Sequence, residues 1–151
     1  MFNENVWKEG EKQTADYMKK KGFKVLKTNF SCVGVELDII SILPKEVQVK
    51  ILKHKLKLQL SGRDKQEKKM LKKSFKTLMK SAKDLLVITE VKARSNSNFG
   101  LGAEAVSEQK RHNIVRGARY LQTLPEYQNY QIRFDVASID NGEISYIEGD
   151  F

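Results

Sequence analysis

Cysteine is almost missing from this chain. Cys32 stands alone among 151 residues, which excludes an internal disulfide, and with only His54 and His112 beside it a Cys/His zinc site is nearly excluded as well. Any metal here has to be held by oxygen. Long apolar runs are lacking too: nothing approaches the ~18–20 residues needed to span a bilayer, so stable membrane insertion is not expected. The opening residues, MFNENVWKEGEK, alternate acids and bases around no apolar core of roughly 7–15 residues, which argues against export and for a cytoplasmic location. A hydrophobic fraction of 40% excludes disorder. At about 100–200 residues per core, the length predicts a single domain over residues 1–151.

What the chain has in excess is positive charge, and its position matters more than its total. Lys and Arg number 28 against 19 Asp and Glu, a net +9. Between Pro44 and Leu85 there are 14 basic and 4 acidic residues, while the remainder carries 14 and 15. One Lys-rich insert at about 44–84 therefore supplies the whole positive excess, a field that attracts phosphate backbones or an acidic surface.

Hydrophobic spacing predicts the elements. Val6, Trp7, Gly10, Thr14, Tyr17 and Met18 recur at helical intervals over 5–21, with Glu11 on the margin of the buried face, and Gly22 supplies the stop. Residues 23–29 and 35–43 read as strands separated by a turn, the second ended by Pro44; alternation would put Glu36, Asp38 and Ile40 on one face. Val47, Val49, Ile51 and then Leu56, Leu58, Leu60 alternate by two, which predicts one or two extended segments, broken at Ser61-Gly62. Asp64 with Glu67 resembles a capping box opening a basic amphipathic helix through Met70, Leu71, Phe75, Leu78 and Met79. A strand over 86–94 follows, with Val87, Val91 and Ala93 facing inward and Ile88, Glu90, Lys92 and Arg94 on the other side. Residues 95–102 form a loop, 105–124 a second long helix ended by Pro125, and 131–139 and 144–147 two strands joined through Asn141-Gly142, a type I′ hairpin signal.

Two of these strands carry acids among apolar neighbours: Asp38 in VELDIISIL and Glu90 in LLVITEVKA. Ionised carboxylates are costly to bury without a partner, and two that face each other raise each other's pKa unless a cation sits between them. Magnesium suits such a site, since it prefers oxygen and takes one or two carboxylates together with substrate phosphates. Lys92, two residues from Glu90 on the same face, would reach the scissile phosphate or its attacking water, the grouping expected for phosphodiester hydrolysis. Each piece also has a plainer reading. Glu-x-Lys on a strand is commonly a solvated ion pair, Asp38 could accept hydrogen bonds from a turn, and Glu11 could be an ordinary helix acid.

The combination of Gly10-Glu11 with Ala15 and Tyr17, Gly22-Phe23, Asn29, Glu36-Leu37-Asp38-Ile39-Ile40, Glu90-Val91-Lys92-Ala93-Arg94, Phe99-Gly100, Ala105-Val106, Lys110, Arg133-Phe134-Asp135-Val136 and Phe151 resembles the YraN family of uncharacterised bacterial proteins. That family is related to Holliday-junction resolvases and to the restriction-endonuclease-like PD-(D/E)xK nucleases. The resemblance spans nearly the whole chain outside the insert. It implies an α/β restriction-endonuclease-like fold, with a mixed central sheet flanked by helices and interrupted by a basic strand/helix insert. It implies Asp38 and Glu90 as ligands of Mg²⁺ or Mn²⁺, with the Val91 backbone carbonyl as a third and Glu11 completing the site directly or through water. Lys92 would position or activate the attacking water, and Glu36 would either act directly or shape the rim. The activity implied is metal-dependent endonucleolytic hydrolysis of structured or branched DNA. The alternative is a non-catalytic nucleic-acid-binding module on the same scaffold. Such nucleases often work as two-fold dimers, so a homodimer joins nucleic acid, DNA first, among the expected partners.

The insert has three readings: a nucleic-acid grip, a solvated basic helix packed by its apolar stripe, or an arm for an acidic membrane surface. Lys68, Lys69, Lys72, Lys73, Lys76 and Lys80, with Lys110 and Arg111 on the later helix, are the candidate contacts to phosphate. Phe75 is the insert's lone aromatic, which disfavours stacking on single-stranded bases.

Overall fold

Apolar residues on both faces of the middle strands call for a layer of helix on each side, and the computed structural model, which describes residues 4–94 and 106–151, shows that arrangement. Its elements run α1 (Glu4–Lys20), β1 (Lys24–Cys32), β2 (Val35–Leu43), α2 (Lys45–Leu60), α3 (Lys65–Ser81), β3 (Leu85–Arg94), α4 (Glu108–Leu121), β4 (Gln131–Asp140) and β5 (Glu143–Ile147). The five strands form one sheet in chain order; β3 and β4 are parallel and every other pair is antiparallel. The protein is therefore α/β, with a mixed five-stranded sheet.

Each face has its own core. On one, Ala15 and Met18 of α1 pack with Phe23, Ile39, Leu43, Val87, Val91 and Ile139. On the other, Ile114, Ala118 and Leu121 of α4 pack with Leu37, Ile40, Leu86, Ile88 and Val136. Both helices lie close to the sheet at glycines. A Cβ on Gly10 would stand 2.6 Å from Ala93 Cβ, and one on Gly117 would stand 3.0 Å from Leu37 Cδ2. The Asn141-Gly142 turn is as the hairpin signal requires, with φ of 50° and 81°.

The insert corrects one expectation. Residues 45–60 form a helix, not extended segments, so the insert is a pair of helices, α2 and α3. The alternation by two at Val47, Val49 and Ile51 competes with a helical spacing in the same residues, since Val47 and Ile51, and Leu52, Leu56 and Leu60, also recur by four. Lysine, leucine and glutamine favour helix, and α2 and α3 pack on each other. The misfit of the helical reading is Leu58, left 65% exposed. In α3, Asp64 is the N-cap and accepts from the Glu67 amide at 2.9 Å, as the capping signal predicts. The base of the pair is pinned to the sheet: Asp84 accepts from the Lys45 amide at 2.7 Å, and the Gln48 side-chain amide donates to the carbonyls of Leu43 at 3.1 Å and Lys83 at 2.5 Å. Residues 95–102, Phe99-Gly100 and Ala105 lie outside the described residues. The later helix spans Glu108–Leu121, shorter than the 105–124 expected, and is capped by Ser107, whose Oγ accepts from the Lys110 amide at 3.2 Å. No helix among the described residues is long and apolar enough to cross a membrane.

Candidate metal centre

Strands β2 and β3 are paired from Leu43 and Leu85 as far as Ile39 and Thr89. One step further the same register brings Asp38 opposite Glu90, and there a side chain takes over from the ladder: the Val91 amide donates to Asp38 Oδ2 at 2.9 Å. On the other side of β2, the pairing with β1 passes over Asn29 and Asp38, and Asn29 has φ 51°. A left-handed residue inside a strand reverses its alternation. Across from it β2 is irregular as well: Leu37 and Ile39, two residues apart, lie in cores on opposite faces of the sheet. The expectation that Glu36, Asp38 and Ile40 share one face by simple alternation holds for the two acids, whose oxygens converge, and fails for Ile40, which packs with Leu37 in the core under α4.

The distortion gathers carboxylates from three places. Oxygens of Glu11 on α1 and of Glu36 and Asp38 on β2 lie within 4.8 Å of one another, Glu11 and Asp38 being buried and Glu36 exposed. Glu11 Oε2 accepts from Asn29 Nδ2 at 2.8 Å, whereas Glu11 Oε1 is buried and meets no donor. Burial pushes the Glu11 carboxyl above its ordinary range, and the charge of Asp38 adds to the shift. Asp38 is pushed up to about 8, first by burial and then by the Glu90 carboxylate, against the opposing pull of the Val91 amide and of Lys110. An oxygen-only cluster with one orphaned buried lone pair and mutually repelling acids fits a hard dication.

Glu90 is buried beside Asp38 and ion-pairs with Lys110 Nζ at 3.2 Å. Lys110, a candidate phosphate contact by sequence, thus reaches the acidic group from the first turn of α4 with its side chain 40% exposed. Lys92 is half-buried on β3, two residues beyond Glu90 and hence on the same strand face. Arg111 is held at the chain terminus, 3.5 Å from Asp150 and with its guanidinium 5.1 Å from the Phe151 ring centroid. Lys68, Lys69, Lys72, Lys73, Lys76 and Lys80 are exposed along α3.

The structure thus draws Glu11, Glu36, Asp38, Glu90 and Lys110 into one neighbourhood and leaves the α3 lysines outside it. Asn29, absent from the candidate site residues, has a signal in the sequence: asparagine is depleted in strand interiors and, glycine apart, is among the residues best able to adopt a left-handed conformation.

Comparison with known proteins agrees with this layout in extent. The chain is 29% identical over 130 residues to a UPF0102 protein of Caldanaerobacter subterraneus subsp. tengcongensis, covering 86% of this chain and 75% of the relative. It is 27% identical over 156 residues to one from Clostridium acetobutylicum, covering 99% and 96%. A shorter match, 41% identical over 70 residues, joins it to one from Francisella tularensis subsp. novicida, covering 46% and 60%. The model of the uncharacterised protein family UPF0102 matches residues 10–139, which include every acid of the cluster, and the chain belongs to that family.

Proposed function

We propose that this protein is a divalent-metal-dependent hydrolase of phosphodiester bonds in structured or branched DNA, built on a restriction-endonuclease-like scaffold. The observation that carries the reading is the convergence of Glu11, Glu36 and Asp38 oxygens within 4.8 Å, with Glu11 Oε1 buried and lacking a donor. Asp38, Glu90 and Glu11 are the residues to hold Mg²⁺ or Mn²⁺. Glu36 stands at the exposed rim. Within a strand the N–H and C=O of one residue point to the same edge, so the Val91 carbonyl is directed toward Asp38 along with its amide and suits a third ligand. Bound there, the ion supplies Lewis-acid polarisation of the phosphoryl group and acidifies water.

The chain's own groups do the rest. Asn29 fixes one oxygen of Glu11 and leaves the other available. Lys92 presents its ammonium on the Glu90 face, where it orients the attacking water and offsets the negative charge that develops on phosphorus oxygens as the water O–P bond forms and the leaving P–O bond breaks. Lys110 compensates Glu90. That pairing also favours a second reading, a non-catalytic binding module, because a cluster neutralised by lysine and by a protonated Asp38 persists without an ion.

One experiment separates the two. Duplex, flap, four-way-junction and single-stranded DNA are incubated with protein and Mg²⁺ or Mn²⁺, with a chelator control, and ion uptake is followed by calorimetry. The hydrolase reading expects metal-dependent cleavage that Asp38→Asn and Lys92→Ala each reduce by at least ~10²-fold, with Mn²⁺ uptake lost in Asp38→Asn. Absence of cleavage by wild type, or equal cleavage by all three proteins, overturns it.

A further inference from the structure

The acidic cluster and the basic insert lie at opposite ends of the same strands. Asp38 is five residues from Leu43, where β2 passes into the insert, and Glu90 is five residues from Leu85, where β3 leaves it. At the rise of an extended strand that is a separation of about 17 Å. The insert is therefore no lip of the acidic site. Its two helices contribute only Phe75 to the buried residues.

Of its four acids, three are already engaged. Asp64 caps α3, Asp84 receives the Lys45 amide, and Glu67 pairs with Arg63 at 3.7 Å, the one ion pair within the insert among the described residues. Among the described residues the α3 lysines have no comparable partners. Lys68, Lys72, Lys76 and Lys80 form a row at intervals of four over about 18 Å of helix, and Lys69 and Lys73 lie beside it.

From this geometry we infer that the α2–α3 pair is a second nucleic-acid contact, a backbone clamp that grips the phosphates of a duplex at a distance from the acidic cluster. The inference rests on the hydrolase reading only for its choice of a phosphodiester partner. A regular row of exposed cations matches a regular row of phosphates, one charge per about 1.7 Å of duplex axis. The insert's lone aromatic, Phe75, is buried, so the pair offers no platform for unpaired bases. A lipid surface fits less well. Leu58, Met70 and Leu78, the exposed apolar side chains, are scattered over the two helices, where membrane-surface helices carry a continuous apolar face.

The test uses the full chain in chelator, so binding is read without cleavage and independently of the metal site. Anisotropy of a labelled 20-base-pair DNA duplex, and of an RNA duplex of the same sequence, is followed from about 50 to 200 mM salt, a range over which phosphate contacts weaken steeply. Changing Lys68, Lys69, Lys72, Lys73, Lys76 and Lys80 together to Gln keeps helix propensity and removes six charges. For whichever duplex the wild type binds more tightly, the expected result is a roughly 10²-fold loss at 100 mM salt and a log K–log salt slope shallower by about 3–5. Replacing residues 45–84 by a short turn should give the same loss. The inference is overturned if wild type binds neither duplex, if either variant binds within threefold of wild type, or if the lysine changes abolish sedimentation with phosphatidylserine vesicles while duplex affinity is unmoved.

Discussion

Asp38 is the residue whose environment departs furthest from what its neighbours in sequence suggest. An acid with a folded-state pKa near 8 and an ordinary value of 3.8 keeps its proton in the folded chain across the interval between them and loses it on unfolding. Its contribution to stability is therefore lost as pH rises from about 4 through about 8. Asp38→Asn removes that penalty without changing the shape of the side chain. In chelator, thermal melting of the variant should coincide with wild type at pH 4 and exceed it by several degrees at pH 8; saturating Mg²⁺ should narrow the gap by stabilising wild type alone. A difference that grows toward low pH would contradict the assignment. Asn29 belongs to the same scale. Its positive φ is what turns β1 and carries its amide to Glu11, and no periodicity of apolar residues could have revealed that.

Among the elements, β2 and β3 were legible because short, mostly apolar segments rich in β-branched residues leave few alternatives, and the acids inside them stood out as lacking local partners. The α2 segment was not legible, since residues spaced by two and by four coexist in it and only packing on α3 and on the turn at Gly22 decides between them. The β4–β5 hairpin carries a network that spacing alone does not reveal. Asp135, fully buried, receives Arg133 through Nε and a terminal nitrogen at 2.8 Å each, the Tyr146 hydroxyl at 2.6 Å and the Gly149 amide at 2.9 Å. Asp135→Asn would leave Arg133 largely buried beside a neutral amide. Urea denaturation should show a loss of about 3–5 kcal/mol, as for other buried pairs deprived of one charge.

For the molecule as a whole, the insert is separable. Leu43 and Leu85 are paired neighbours at the end of β2 and β3, so a tight turn can join them, and of the residues packed in or against the two cores only the partly buried Val47 is removed. With residues 45–84 replaced in this way, the chain should lose helical signal in circular dichroism and still unfold cooperatively, at a cost of roughly 1–2 kcal/mol. Loss of cooperative unfolding would show that the insert is part of the core. The sequence by itself determined the strands, the two long flanking helices, the location of the positive charge and the acids that interrupt apolar runs. These follow from periodicity and from the cost of burying charge, which neighbouring residues already express. Only the tertiary structure decided that Glu11 and Glu36 meet at Asp38, that Lys110 turns to Glu90, and that the basic helices stand far from the acidic cluster. Those facts depend on strand register, on a left-handed residue and on where helices cross the sheet, relations between residues tens of positions apart that no local pattern encodes.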